Sequence, residues 1–505
     1  MRLLPFLPRG RSSRQPLAAG PVVADPEPAP LPAPALAPEP VRSASEPQER
    51  AAARLAERPA VLAAALVVTV LAGLTIVIVA AAHPSGLAPP SKGAFSGWMV
   101  GPFTGLASGL TRHHATLNIL FSLLVVAMGI GYAVAVRGAR AAPLHWVVAA
   151  IVVLHVIFVL SPPMPLTDVF NYFDYARLGV LHGFNPYTAV PADVGSDPTY
   201  HYATWHHLSS PYGPLFTLFT YALVPLDVHP GYWVLKVLTM AASLGGLGLV
   251  WRLAQRRGRS PVAALVFVGL NPLLLVYGVG GVHTDFFIML LVVGGVLLVL
   301  DRRPAAGGVA MAAAAGVKVT AALMLPFALI ASHDRRRALL GMIVAGLVLA
   351  VATLVAFGAT IPSLGPQTSL VSPLGALNLL GLALGQGGAT HWLQVLSQVA
   401  LLGVLVHLVY RTWRGDDWLD MSGWAIVALI LSLSWVVPWY VVWLLPLAAV
   451  SASRRLRRAA AWITVVLMVT ALPGTGELLI NGVGAYPADT KLGHKHEQEI
   501  NRYLR

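Results

Sequence analysis

The chain has no cysteine. Disulfides, thiolate zinc sites and thiol nucleophiles are therefore excluded, and any chemistry must rest on other side chains. Charge is scarce too: 11% of the 505 residues are Asp, Glu, Lys or Arg, against 56% hydrophobic. A mean hydropathy of +0.71 and repeated apolar runs near the ~20 residues needed to cross a bilayer leave no soluble fold that fits. The expected class is all-α, a polytopic transmembrane protein of about 12–14 membrane helices. Acid is the scarcer sign, with 21 Asp and Glu against 34 Lys and Arg and a net charge of +13. The basic residues lie in short clusters between apolar runs, which is the positive-inside pattern and not a nucleic-acid patch. No nucleic-acid partner is expected.

Residues 1–58 lack apolar periodicity and are rich in Pro, Ala, Glu and Arg. Such a stretch cannot bury enough surface to offset its ordering entropy, so it reads as a disordered cytoplasmic tail. It also lacks the basic, apolar and small-residue order of a cleavable signal. A membrane domain is expected over 59–473, with a C-terminal tail over 474–505.

Apolar runs predict helices near 60–82, 115–136, 143–161, 233–252, 261–279 and 283–300, then near 305–317, 320–332, 338–357, 391–411, 422–450 and 459–473. The clusters Arg137/Arg140, Arg252 to Arg259, Arg302/Arg303, Arg335 to Arg337, Arg411/Arg414 and Arg454 to Arg458 should be cytoplasmic. The loops 162–210 and 358–390 and the turn 280–284 then lie outside. Residues 211–226, PYGPLFTLFTYALVPL, would add an odd crossing and are expected as a re-entrant or surface-lying helix. The long run 422–450 is expected to break at Val437-Pro438, because proline removes a helical donor.

Against this apolar background the external loop 162–210 stands out, with Asp168, Asp174, Asp193 and Asp197 facing a single arginine, Arg177. Pro162 and Pro163 hold Asp168 within a few residues of the lipid boundary. A carboxylate there is partly desolvated, which raises its basicity and suits it to take a proton from a hydroxyl. The plain alternative is a solvated loop acid at a helix starting near Thr167, with Asp174 and Arg177 paired three residues apart.

Polar groups recur on the same side. NPLLLVYGVGGVHTDFF puts His283 and Asp285 at the outer start of a helix, in a stretch loosened by glycines. In GVKVTAALMLP, Lys318 falls where the chain must go out and back between Arg303 and Arg335 in two legs too short to span the ~30 Å core. It is expected at the tip of a shallow helical pair, with no acid within five residues, as a ligand for a lipid-linked phosphate or as a snorkelling side chain. HYATWHHLSSPYGP adds His201, His206, His207 and Tyr212, a weak zinc signal without fixed ligand spacing. Trp435, Trp439, Tyr440 and Trp443 read as an interfacial aromatic belt, with sugar stacking as the sharper alternative.

The order TDVFNYFDYARLGVLHGFNPY, SPYGPL, NPLLLVYGVGGVHTD, GVKVTAALMLP and WVVPWYVVWLLPL resembles GT-C membrane glycosyltransferases. It is most similar to the actinobacterial alpha-1,6-mannosyltransferases that use polyprenyl-phosphate-mannose, over roughly residues 60–450. The resemblance implies inverting transfer of a sugar, with mannose favoured over arabinofuranose or glucose, to a glycan or glycolipid acceptor on the outer face of the plasma membrane. It puts the general base on Asp168, with Asp174 a second acid. Lys318, Arg177, His283, Asp285, Asn185, Tyr187 and Tyr212 are the donor and substrate ligands it suggests. The wider superfamily sometimes uses a divalent metal, and basic side chains alone can also stabilise the leaving phosphate, so no cofactor is required by the pattern. A lipid or solute transporter is the competing class, although inverted repeats and mid-helix acids are not evident.

Overall fold

Proline and short polar caps start many of the helices, as expected where the first backbone N–H groups have no helical partner. Pro59, Pro214, Pro261 and Pro304 each stand in a first turn. Asp227, Ser260, Asp334, Asp417 and Ser453 accept from backbone amides at their helix starts.

The computed structural model describes residues 58–81, 97–107, 109, 114–164, 167–363, 365–483 and 486–504. All of the expected tail except Arg58 lies outside the described residues. Residues 50–505 form one compact unit, and no strand occurs among the described residues. The helices are α1 (Pro59–Ala80), α2 (His114–Gly138), α3 (Leu144–Val159), α4 (Asp168–Val180), α5 (Pro214–Tyr221), α6 (Val228–Arg256) and α7 (Pro261–Gly269). They continue as α8 (Asp285–Leu300), α9 (Pro304–Val317), α10 (Met324–Ala331), α11 (Arg335–Phe357), α12 (Gly365–Ser369) and α13 (Ala376–Ala383). The last are α14 (His391–Trp413), α15 (Trp418–Ser432), α16 (Val441–Val450), α17 (Arg454–Ala471), α18 (Pro473–Leu478) and α19 (Lys491–Leu504).

Among the described residues five helices, α1, most of α2, α6, α11 and α14, are long and apolar enough to cross a bilayer, and two bent pairs raise that to seven. Seven further apolar helices among the described residues have 10–17 residues, so many of the expected membrane helices are shorter than a full crossing. Prolines and glycines cut them short. The segment 211–226 is one such case: α5 with the turn that follows it runs Pro214–Leu226, ~20 Å at 1.5 Å per residue, and cannot span.

Packing sorts the helices by composition. Every residue of α16 is buried, as suits a helix that is apolar all round, and it contacts α6, α7, α8, α15 and α17. α9 packs between α8 and α11, while α1 packs on α2 and α3. α11 and α14 bury only 17% and 11% of their spanning windows, which leaves their apolar faces for lipid.

Candidate active site

Three chain breaks build one cavity. The first is the start of α4. Thr167 occupies the position before the helix, but its hydroxyl bonds Thr204 at 2.5 Å and does not cap α4, and Asp168 opens the helix. Trp205 donates its indole N–H to Asp168 Oδ1 at 3.2 Å. The Asp168 side chain is 13% exposed. Burial pushes its carboxyl up to about 6, against the lowering effects of the Trp205 bond and the Lys318 charge.

The second break lies between α7 and α8. Asn271 Oδ1 accepts from the amides of Leu273 and Leu274, and the chain bends by 53° into a π-helical turn, Leu273–Val279. Gly280 and Gly281 follow, and a Cβ on Gly281 would stand 2.3 Å from the Tyr277 carbonyl oxygen and 2.6 Å from His283 Nε2. Val282 then adopts φ 58°, a left-handed value that a β-branched residue takes only when its surroundings force it. This strained turn aims His283 at Asp168.

His283 Nδ1 lies 3.6 Å from Asp168 Oδ2, and the ring stacks on Trp439 with centroids 3.6 Å apart. Its Nε2 has no hydrogen-bond partner among the described residues. Burial, and after it the Lys318 charge, holds the imidazole well below its ordinary range, so the ring is neutral at pH 7.

The third break separates α9 from the turn Val319–Leu323, with Lys318 extended between them. This is the pair of short helices expected from the spacing. Gly213, in the SPYGP loop, donates its amide to the Val317 carbonyl at 2.9 Å and so docks that loop on the tip. The expectation that Lys318 lacks an acid is overturned: its ammonium reaches Asp285 Oδ1 at 3.3 Å, from a residue distant in sequence. Trp443 donates to the same oxygen at 2.6 Å, and Lys318 lies 5.1 Å from the ring centroids of both Tyr440 and Trp443.

Asp168, His283, Asp285, Lys318 and Tyr212 thus line one open cleft, enclosing about 1420 Å³ with its mouth included. The proposed aromatic belt is corrected here. Trp435, Trp439 and Tyr440 line the cleft and Trp443 holds Asp285, so these rings serve the cavity wall.

The remaining candidates do not reach the cleft. Arg177 binds Asp197 at 2.8 Å instead of Asp174, and His182 joins the same carboxylate at 2.8 Å. Burial opposes the ionisation of Asp197, but these bonds outweigh it and hold its carboxyl down at about 2. Asp174 is buried beneath this cluster, one oxygen without a partner, and burial pushes it up to about 7. Asn185 donates to the Phe357 carbonyl and the Thr360 hydroxyl, and Tyr187 donates to Thr217. Asp174, Arg177, Asn185 and Tyr187 are therefore corrected to supports of the loop, since their polar atoms are turned away from the cavity. His201, His206 and His207 do not converge, and no group of three His, Asp or Glu among the described residues could hold a metal ion. A divalent metal does not fit this donor set, because Asp285 Oδ1 is already taken by Lys318 and Trp443.

Sequence reasoning missed Trp205 and did not foresee the roles of Trp439 and Trp443. The signal for Trp205 was its place among histidines in HYATWHH, a polar run in a chain with little polarity.

Comparison with known proteins adds a family. Residues 67–334, more than half of the chain, match the profile of the alpha-(1->6)-mannopyranosyltransferase N-terminal domain. Residues 211–473 match glycosyltransferase family 87. An alpha-(1->6)-mannopyranosyltransferase A of Mycobacterium tuberculosis is 28% identical over 345 residues, covering 60% of this chain and 64% of the relative's length. One from Corynebacterium glutamicum is 28% identical over 198 residues, 37% of this chain and 39% of that protein. A probable alpha-(1->6)-mannopyranosyltransferase of Mycolicibacterium smegmatis is 31% identical over 133 residues, 25% of this chain and 24% of its own length. The chain thus matches less than two thirds of these relatives. No solved structure matches it.

Proposed function

This chain belongs to the alpha-(1->6)-mannopyranosyltransferase family of GT-C membrane glycosyltransferases, and we propose that it transfers mannose from a polyprenyl-phosphate donor to a glycan or glycolipid hydroxyl outside the plasma membrane. The observation that carries this reading is the presence, in one cleft, of a carboxylate made more basic by burial, Asp168, and a mostly buried ammonium, Lys318. Glycosyl transfer from a phosphate needs a base for the attacking hydroxyl and positive charge for the departing anion. Asp168 takes the acceptor proton as the acceptor oxygen bonds the anomeric carbon. On the opposite side the anomeric carbon–oxygen bond to phosphate breaks, with inversion, and the bonding pair leaves with the polyprenyl phosphate. Lys318 offsets that charge, and Asp285 with Trp443 fixes the ammonium in place. His283, neutral and clamped by Trp439, acts on Asp168 as a positioning residue.

The donor assignment is tested with the purified full chain in lipid nanodiscs. Radiolabelled polyprenyl-phosphate-mannose and a nucleotide-linked mannose are each offered with an alpha-1,6-linked oligomannoside. Label should enter the acceptor from the lipid donor alone. Transfer from the nucleotide sugar and none from the lipid would reject the reading.

A further inference from the structure

The catalytic cluster occupies only part of the cleft wall. On α14 the residues Gln394, Gln398 and Leu401 fall at helical spacing along one face and line the same cavity. This is an unusual place for amides. Only 11% of the spanning window of α14 is buried, and the rest of its surface is the apolar kind that lipid covers, with Val395, Leu396, Val399 and Leu402 all exposed. Neither carboxamide side chain has a hydrogen-bond partner among the described residues, whereas neighbouring Ser397 bonds the Ser432 carbonyl at 3.0 Å. A polar side chain on a membrane helix costs free energy unless its donors and acceptors are met.

We propose that Gln394 and Gln398 form a sugar subsite, whose ligand is the hexose hydroxyls of the lipid donor or of the glycan acceptor. Each carboxamide offers two donors and an acceptor, which matches the mixed donor–acceptor character of adjacent hydroxyls. A phosphate would call for a cation, and the cleft already provides Lys318 from another element. An acyl chain would have no use for either amide. Trp435, which also lines the cleft, supplies an aromatic face of the kind on which sugar rings pack. The assignment rests on the glycosyl-transfer reading for its biology, but the subsite itself is a statement about hydroxyl recognition.

The test separates the two. Binding of an alpha-1,6-linked mannose oligosaccharide and of sugar-free polyprenyl phosphate is followed by the fluorescence of the tryptophans lining the cleft, using the full chain in nanodiscs. In Gln394→Leu/Gln398→Leu the oligosaccharide should bind ~10-fold or more weakly, as expected for at least two lost hydrogen bonds, while polyprenyl phosphate binds as to the wild type. If the acceptor subsite is elsewhere and these residues hold the donor's sugar, the loss appears instead in the KM for polyprenyl-phosphate-mannose, with the sugar-free lipid again unaffected. Gln398→Leu alone, which places leucine on an apolar helix, is the variant to use should the pair fail to fold. Unchanged affinity for both sugar-bearing ligands, or equal weakening of sugar-bearing and sugar-free ligands, overturns the subsite. Absent transfer by a wild type that still binds oligosaccharide through these glutamines would overturn the enzymatic reading and leave the subsite standing.

Discussion

His283 Nδ1 faces Asp168 Oδ2 at 3.6 Å across the cleft, although one residue opens α4 and the other follows a π-helical turn more than a hundred positions later. The contact sets the imidazole beside the carboxylate proposed as the base. Asp168 also accepts from Trp205, so one oxygen is held by an indole while the other faces the ring and the cavity.

Replacing Asp168 with asparagine should therefore abolish transfer and leave the fold intact. The amide is nearly isosteric and can still meet Trp205, but it takes no proton at neutral pH. A loss of ~100-fold or more in kcat is expected for a missing general base. Residual turnover above a tenth of wild type, in protein that elutes and melts normally, would remove Asp168 from that role.

The same carboxyl should set the pH dependence. Its pKa is raised to about 6, chiefly by burial, and the base works only when ionised. The log of kcat/KM should thus fall on the acid side with a limb near pH 6 and be flat above it. His283 is not the source of that limb, because burial and Lys318 keep its pKa well below the usual histidine range. A His283→Gln variant should accordingly be slower but keep an acid limb. Disappearance of the limb in that variant would assign the titration to histidine.

How much of this site was legible before folding depended on whether the signal was local. Asp168, His283, Asp285 and Lys318 were all visible, because an ionisable side chain in a chain that is 56% hydrophobic is conspicuous wherever it stands. The short α9–α10 pair followed from arithmetic on helix rise, and the Pro438 break from proline chemistry. What the sequence could not give was pairing across distance. Lys318 looked unpaired because its partner, Asp285, is remote in the chain. Arg177 looked paired with Asp174, three residues away on α4, yet Asp197 folds back onto it and receives His182 as well. The aromatic run at 435–443 was ambiguous for a different reason: rings at an interface and rings in a cavity wall have the same sequence pattern, and only the direction of the side chains separates them.

Gly281→Ala should act on chemistry from outside the reacting atoms. Its Cβ would collide with the Tyr277 carbonyl, which is backbone in a rigid turn, and with His283 Nε2. The ring can move only by leaving its stack on Trp439. The variant should lose kcat by ~10-fold or more, in keeping with misplacement of a positioning group, while donor affinity through Lys318 persists. Equal loss of kcat and donor binding would indicate that the whole turn has collapsed.

Orientation can be read by chemistry that the chain itself permits, because it has no cysteine of its own. Ser196 lies in the loop after α4 on the side of the cleft, and Ala452 lies beside the Arg454 to Arg458 cluster at the start of α17; both are exposed. In intact cells, Ser196→Cys should react with a membrane-impermeant maleimide, and Ala452→Cys should react only after lysis. The reverse pattern would put the cleft in the cytoplasm and remove the basis for an external lipid-phosphate reaction.

The Lys318–Asp285 pair permits the sharpest separation of structure from function. Lys318→Met alone leaves the Asp285 carboxylate, which is 2% exposed, with only the Trp443 indole for compensation. Stranding a buried charge in this way costs ~3–5 kcal/mol, so the single variant should melt early whatever the lysine does in catalysis. Lys318→Met/Asp285→Asn removes both charges together, and the asparagine can still accept from Trp443; its stability should return close to wild type. Donor affinity should not return. Loss of one hydrogen bond to a charged group is worth ~1.5–3 kcal/mol, or roughly 10- to 150-fold in Kd for polyprenyl phosphate. Oligosaccharide binding should be unchanged in the same protein. A double variant that is stable and binds polyprenyl phosphate as tightly as the wild type would show that the ammonium serves only to neutralise Asp285, and the phosphate ligand would have to be sought on another wall of the cleft.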